Sequence, residues 1–377
     1  MGSRPTDHAN CDLTQLNLDV AFGRAGGQVI WQPRILAWYA DRIFSGAGLP
    51  GRYRGMTSVQ LYRDLGCSNR VYEFNACIQP VEDPAVRRTR REISDTEYEV
   101  VWDTPVGRQT AVYRISANSP WHMPVKYPIA DEAEMRVAAW RESHLTFAWD
   151  QATYDRLSDE WARLGAPQLY MPRASIQHLI VDQMGTENTM YAVVDYPATV
   201  EAYFEALAVR DERFIEVLDP SPIQIVNFGD NVHAGIVSPR LFEMYLLPVY
   251  QRRNALLHAA GKFTHAHWDG DCGPILRYAR DTGLDGIEAI TPVPQGDVTL
   301  EQTREALGEM FLLDGIPAVL FDTTFPEQDL IDCVRKCIDL FAPHLILGIS
   351  DEISSTGDIE RIRVVTQVVD DYNASLG

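Results

Sequence analysis

The sequence predicts an α/β protein, a (β/α)8 TIM-type barrel with an N-terminal α+β extension. Strand-like segments recur roughly every 25 to 40 residues with helix-like segments between them. Polar residues gather just past the strand ends, and residues 262–297 hold one complete strand, polar loop, helix and strand. In that unit the alternation Phe263-Thr264-His265-Ala266-His267 runs into Trp268-Asp269-Gly270-Asp271, then an amphipathic stretch at 274–282, then a second strand at 286–290.

The other elements follow in order. Residues 1–115 do not read as α/β repeats, so the chain divides into a cap at 1–115 and a barrel at 116–377. Within the cap, 29–39 is an aromatic strand–turn–helix start and 58–66 a short helix. Residues 98–103 and 109–115 form a β-hairpin across Thr104-Pro105-Val106-Gly107. The cap serves as a lid or as a homodimer contact. From 130 onward the expected helices lie at 132–140, 151–164, 199–218, 300–307 and 328–341, and the strands at 168–172, 223–228, 310–313 and 345–349. Ser238-Pro239 opens a further helix that runs toward 260 and breaks at Pro248.

Composition narrows the function. A hydrophobic fraction of 46% supplies a large core, and a net charge of −20 argues against nucleic acid, an anionic membrane or a strongly anionic ligand held by surface charge alone. A small neutral ligand or a protein partner fits better. No run is apolar enough to span a membrane, and the first residues lack a signal-peptide core, so a cytoplasmic location is expected. The six cysteines form no CxxC pair and read as free thiols.

A barrel brings its strand ends to one mouth, which places Asp230 and Asn231, then His267, Asp269 and Asp271, then Glu288, Asp314, Asp351 and Glu352 around a common site. An imidazole with carboxylates suits a first shell for Zn²⁺, Mn²⁺ or Fe²⁺; the bland alternative is a hydrogen-bonded set of strand caps. His267, Asp269 and Glu288 are the expected metal ligands, with Asp351 or Glu352 as the last. His265 shares a face with His267 and supports the ligands or touches substrate. Asp230 is a candidate general acid, with His265 also able to move protons, and Asn231, Trp268 and Trp121 are candidate substrate contacts.

These residues resemble a known family. His267-Trp268-Asp269-Gly270-Asp271, then Gly286-Ile287-Glu288 and Gln295-Gly296-Asp297, is similar to the H-x-C-G-[DN] region and following segments of the uroporphyrinogen decarboxylase superfamily. Thr104-Pro105-Val106-Gly107, Gly185-Thr186-Glu187-Asn188, Val237-Ser238-Pro239, Pro248-Val249-Tyr250 and Leu347-Gly348-Ile349-Ser350-Asp351 extend the likeness from about residue 95 onward. The decarboxylase branch holds an acidic tetrapyrrole with an R-Q-A-G-R motif. The comparable stretch here, Gln32 to Tyr39, keeps one arginine and is otherwise aromatic, which counts against a polycarboxylate.

The other branch implies zinc held by H-x-C, a glutamate and a later cysteine, in methyltransferases that serve corrinoid proteins. Onto that pattern fall His267, Asp269, Glu288 and Asp351, with carboxylates at both thiolate positions. A harder, oxygen-ligated metal suits polarising an oxygen atom. The resemblance therefore implies a methyltransferase taking a methyl group from an O-methyl substrate to a separate corrinoid protein, as an O-demethylase component. A metal-free decarboxylase or lyase and a non-catalytic tetrapyrrole- or partner-binding barrel are the alternatives. No D-x-H-x-x-G signature occurs, so a corrinoid would arrive only on a partner.

Overall fold

The computed structural model describes residues 12–117 and 121–377. Its strands, in chain order, are β1 (Ile30–Trp31), β2 (Ile78–Val81), β3 (Arg87–Glu92), β4 (Glu97–Thr104), β5 (Gly107–Ile115), β6 (His122–Lys126), β7 (Thr146–Trp149), β8 (Gln168–Met171), β9 (Ile225–Val232), β10 (Phe263–Trp268), β11 (Gly286–Glu288), β12 (Phe311–Pro317) and β13 (Leu345–Ser350). The main sheet has the order β1-β13-β12-β11-β10-β9-β8, with every pairing parallel. Every residue of β10, β12 and β13 is buried, as expected for parallel strands covered on both faces.

This corrects the eight-stranded expectation. Seven strands form a curled, open sheet, and β1 and β8 do not pair with each other. Residues 68–71 run between these two edges without joining as a regular strand. Ser68 N donates to Trp31 O (2.9 Å), Asn69 N to Leu164 O (3.1 Å) and Gln168 N to Val71 O (3.3 Å), with a single bridge from Val71 to Pro167. The polar side chains here turn inward instead of alternating: Ser68 accepts from buried Gln32, and Arg70 enters the site described below. A hydrophobic-period search does not register such a segment.

Helices cover the sheet. Glu360–Ser375 packs against β1 and the helix Ser58–Leu65, with Thr366 donating to Leu65 O and Asn373 to Val29 O. Leu13–Ala21 closes the end away from the site, its Val20 and Ala21 joining Ile30, Phe263, Phe311 and Ile346 in a small core. The sequence reading includes neither of these helices. The break near Pro248 takes the form of a π-helical stretch, Phe242–Leu246, before Leu247–Ala259. The expected hairpin is β4 and β5, inside an antiparallel sheet β3-β4-β5-β6; β2 and β7 form a separate pair. Strand β1, from the first 115 residues, belongs to the main sheet. No described helix is long and apolar enough to cross a membrane.

The crossing of residues 68–71 leaves no room at Gly165, where an added Cβ would run into the Asn69 carbonyl. Gly165→Ala should cost roughly 1–3 kcal/mol as an overpacked contact. Urea unfolding measures this; an unchanged midpoint would contradict the close approach.

Candidate active site

The site is built on Glu288, which ends β11 and is fully buried. A buried carboxylate must be paired and hydrogen-bonded, and here both oxygens are fully engaged. Oε1 has Arg34 Nη1 at 3.0 Å, Arg70 Nη1 at 3.2 Å and His267 Nδ1 at 3.2 Å. Oε2 accepts from Tyr72 Oη (3.1 Å) and Asn227 Nδ2 (2.5 Å). His265 Nδ1 lies 3.0 Å from Oε2, yet neither of its ring nitrogens is aligned for a hydrogen bond with a described group. Burial opposes the charge on Glu288, but Arg70 and the histidines outweigh it and hold its pKa well below the usual range. Burial lowers the pKa of His265.

Arg70 also grips Asp314 with two nitrogens, at 3.1 and 2.5 Å, and Asp314 accepts from Ala289 N (3.1 Å). Asp314 has φ +85°, and Gly348 makes room for it, since a Cβ at Gly348 would collide with its carboxylate. Burial raises the Asp314 pKa to about 6, Arg70 opposing and the Glu288 charge adding.

Arg34 faces the mouth on the loop after β1. Besides Glu288 it lies 3.2 Å from His267 Nδ1, 3.6 Å from Asp351 and 3.7 Å from Glu352. His267 Nε2 has Asp269 Oδ2 at 3.7 Å. Burial disfavours the imidazolium, but Asp269 and Glu288 overcome this and raise the His267 pKa to about 9. A protonated imidazole therefore donates Nδ1–H to Glu288 and turns Nε2–H toward Asp269 and the cavity. That cavity, about 520 Å³, is walled by Arg34, His267, Tyr170, Arg173, Asn231 and Asp351, among others, a size typical of small-molecule sites.

The four expected metal ligands thus converge, but they do not fit a metal in this arrangement. Every lone pair of Glu288 is committed, and the position between His267, Glu288 and Asp351 is taken by the Arg34 guanidinium. A divalent ion about 4 Å from one guanidinium would meet roughly 8 kcal/mol of repulsion at an effective dielectric of about 20, before the carboxylates are counted. Among the described residues no three His, Cys, Asp or Glu side chains are arranged to hold a metal ion. The residues as arranged here do not fit the zinc expected from the sequence, and Glu288 is the anchor of a charge network.

Other expectations also change. Asp230 is wholly buried and caps Ala174 N (2.8 Å), and the cavity wall beside it is Gly229 and Asn231. Trp268 is core, edge-on to Phe242 at 5.1 Å. Trp121 is 74% exposed and is not in the cavity wall. His265 lies beneath the site, with no exposed surface. Arg70, Tyr72, Asn227 and Tyr170 were missed. Asn227 carried a usable signal, a polar residue inside the apolar run Ile225 to Phe228.

Titration of His267 by nuclear magnetic resonance should give a pKa near 9, falling in Asp269→Asn. Because the folded value lies above the unfolded ~6.5, the stabilisation is complete below that pH and is lost as pH rises through about 9. Elemental analysis after incubation with zinc should find no stoichiometric metal; one ion per chain, lost in His267→Ala with Asp269→Ala, would overturn the arrangement above.

Residues 177–372 match the family model described as Uroporphyrinogen decarboxylase (URO-D). A methyltransferase from Methanosarcina mazei shares the fold, with a TM-score of 0.57 at 11% identity over 96% of this chain and 99% of that one. A B12-independent methionine synthase from a Shewanella species gives 0.44 at 12% identity, over 93% and 97%. A GH18 chitinase from Flavobacterium johnsoniae gives 0.37 at 11% identity, over 61% and 83%. No curated protein matches the chain. With just over half of its length matched by the family model, the chain belongs to the uroporphyrinogen decarboxylase family.

Proposed function

We propose that this chain is a methyltransferase that removes a methyl group from a small O-methylated substrate and passes it to a nucleophile on a separate corrinoid protein. The observation that carries the reading is the His267 imidazolium, held by buried Glu288 on one side and open to the cavity on the other. The fold shared with a methyltransferase over nearly the whole chain is compatible with it.

The chain's own residues would act as follows. As the methyl carbon–oxygen bond breaks, its electron pair stays on oxygen, which takes the proton from His267 Nε2, while the methyl group leaves to the reduced cobalt of the partner. Arg34, which lines the same cavity and lies 3.2 Å from His267 Nδ1, would add positive charge near that oxygen. Asp269 sits 3.7 Å from Nε2, too far for a hydrogen bond, so a substrate oxygen can take the proton in its place. The proton donor thus replaces the Lewis-acid metal expected from the sequence.

A second reading is favoured by the pairing of Arg34 with His267. A small carboxylic acid bound there could lose carbon dioxide, the carbon–carbon electron pair remaining on carbon and being protonated by His267.

A screen of methoxylated compounds with a reduced corrinoid acceptor, run beside a carbon dioxide assay, separates the two. Methyl transfer should appear, and His267→Asn should lower kcat by about 10²–10⁴, the usual worth of a general acid. Carbon dioxide release without methyl transfer would install the second reading, and full activity in His267→Asn would remove both.

A further inference from the structure

The charge along the cavity wall is uneven. At the reacting end Arg34, Arg70 and His267 stand against Asp269, Glu288, Asp314, Asp351 and Glu352, an excess of carboxylates. At the other end Arg173, His178 and Asp182 reach the wall. Arg173 Nη1 lies 2.9 Å from Asp182, whose other oxygen is 3.0 Å from His178 Nδ1. Behind them Glu142 contacts His178 (3.5 Å) and Arg210 (3.2 Å), and Asp211 contacts Arg210 (3.0 Å) and Arg253 (2.6 Å). Burial opposes a charge on His178, but hydrogen bonds to Asp182 and Glu142 raise its pKa. Three guanidiniums (Arg173, Arg210, Arg253), with the His178 imidazole among them, face three carboxylates (Glu142, Asp182, Asp211).

This end is also built to hold Arg173 still. Arg210 donates to the carbonyl of Arg173 (2.9 Å) and Arg253 to that of Pro172 (2.8 Å), fixing the backbone just past β8. Arg173 keeps a buried Nε with no hydrogen-bond partner among the described residues, while its side chain is 27% exposed. Between the two ends the wall is aromatic and apolar. Tyr170 lies stacked on Tyr72 at 4.1 Å, in space that a Cβ at Gly229 would close, and Met171 and Phe214 continue the surface.

We propose that the Arg173 end seats a carboxylate of the substrate, so that the methyl donor is a methoxylated carboxylic acid, its acid group at Arg173 and its ether oxygen at His267. The identity of the reacting end rests on the methyl-transfer reading; the carboxylate seat rests on the charge and geometry of the Arg173 cluster alone.

Binding without turnover keeps the two apart. Isothermal titration would compare para-methoxybenzoate with its neutral counterpart para-methoxybenzamide at pH 7. The parent should prefer the carboxylate by at least about tenfold, the worth of a hydrogen-bonded charge. Arg173→Gln should abolish that preference, Arg173→Lys should retain part of it, and His267→Asn should leave it intact, each variant being checked for an unchanged thermal melt. Equal binding of the two probes by the parent, no binding of either at millimolar concentration, or a preference that survives Arg173→Gln would overturn the proposal. Loss of the preference in His267→Asn would overturn it too, by placing the acid group at the reacting end. A failed methyl-transfer screen with these binding results intact would sink only the catalytic reading.

Discussion

Burial of the Glu288 carboxylate is the constraint on which the rest of this structure depends. A carboxylate with no exposed surface persists only with close cations and hydrogen-bond donors, and stripping one partner from such a set typically costs about 3–5 kcal/mol. Its partners come from four places in the chain: Arg34 after β1, Arg70 from the stretch between the sheet edges with Tyr72 just after it, Asn227 from β9, and the histidines of β10. The N-terminal segment is thereby tied to the barrel by charge as well as by the pairing of β1 with β13.

The same saturation sets the chemistry. In this arrangement Glu288 has no free lone pair to offer, and it favours the charged state of its neighbour His267. Asp269 acts in the same direction from the other ring nitrogen. Asp314, sharing Arg70 with Glu288, is pushed the opposite way. Closely spaced groups thus titrate far apart because each buried charge is felt by the others at short range and low dielectric.

Global and local charge part company here. A chain at −20 repels anions at long range. Beside the cavity, buried Arg210 and Arg253 hold the backbone at Arg173 and Pro172, so that Arg173 is presented to the cavity wall in a fixed place. Statements drawn from net charge concern the surface and the approach of partners, and the site follows its own balance.

The sequence by itself determined the α/β class, the hairpin at β4 and β5, most of the strands and helices from residue 130 onward, and the meeting of His267, Asp269 and Glu288 at one mouth. Those features are written in local periodicity and in strand ends, which parallel α/β topology necessarily gathers. Only the tertiary structure decided that the sheet stops at seven strands, because residues 68–71 satisfy their polar groups inward and carry no strand period. It also decided what surrounds Glu288. Arg34 and Arg70 are more than two hundred residues away from it in sequence, and nothing local marks an arginine that will fill the place expected for a metal. Asp230 and Trp268 likewise read as cavity residues from their strand-end positions. Backbone twist and packing turned them instead onto Ala174 and Phe242, an outcome that period-two alternation does not specify once a strand bulges, as β9 and β10 do between Ala266 and Trp268.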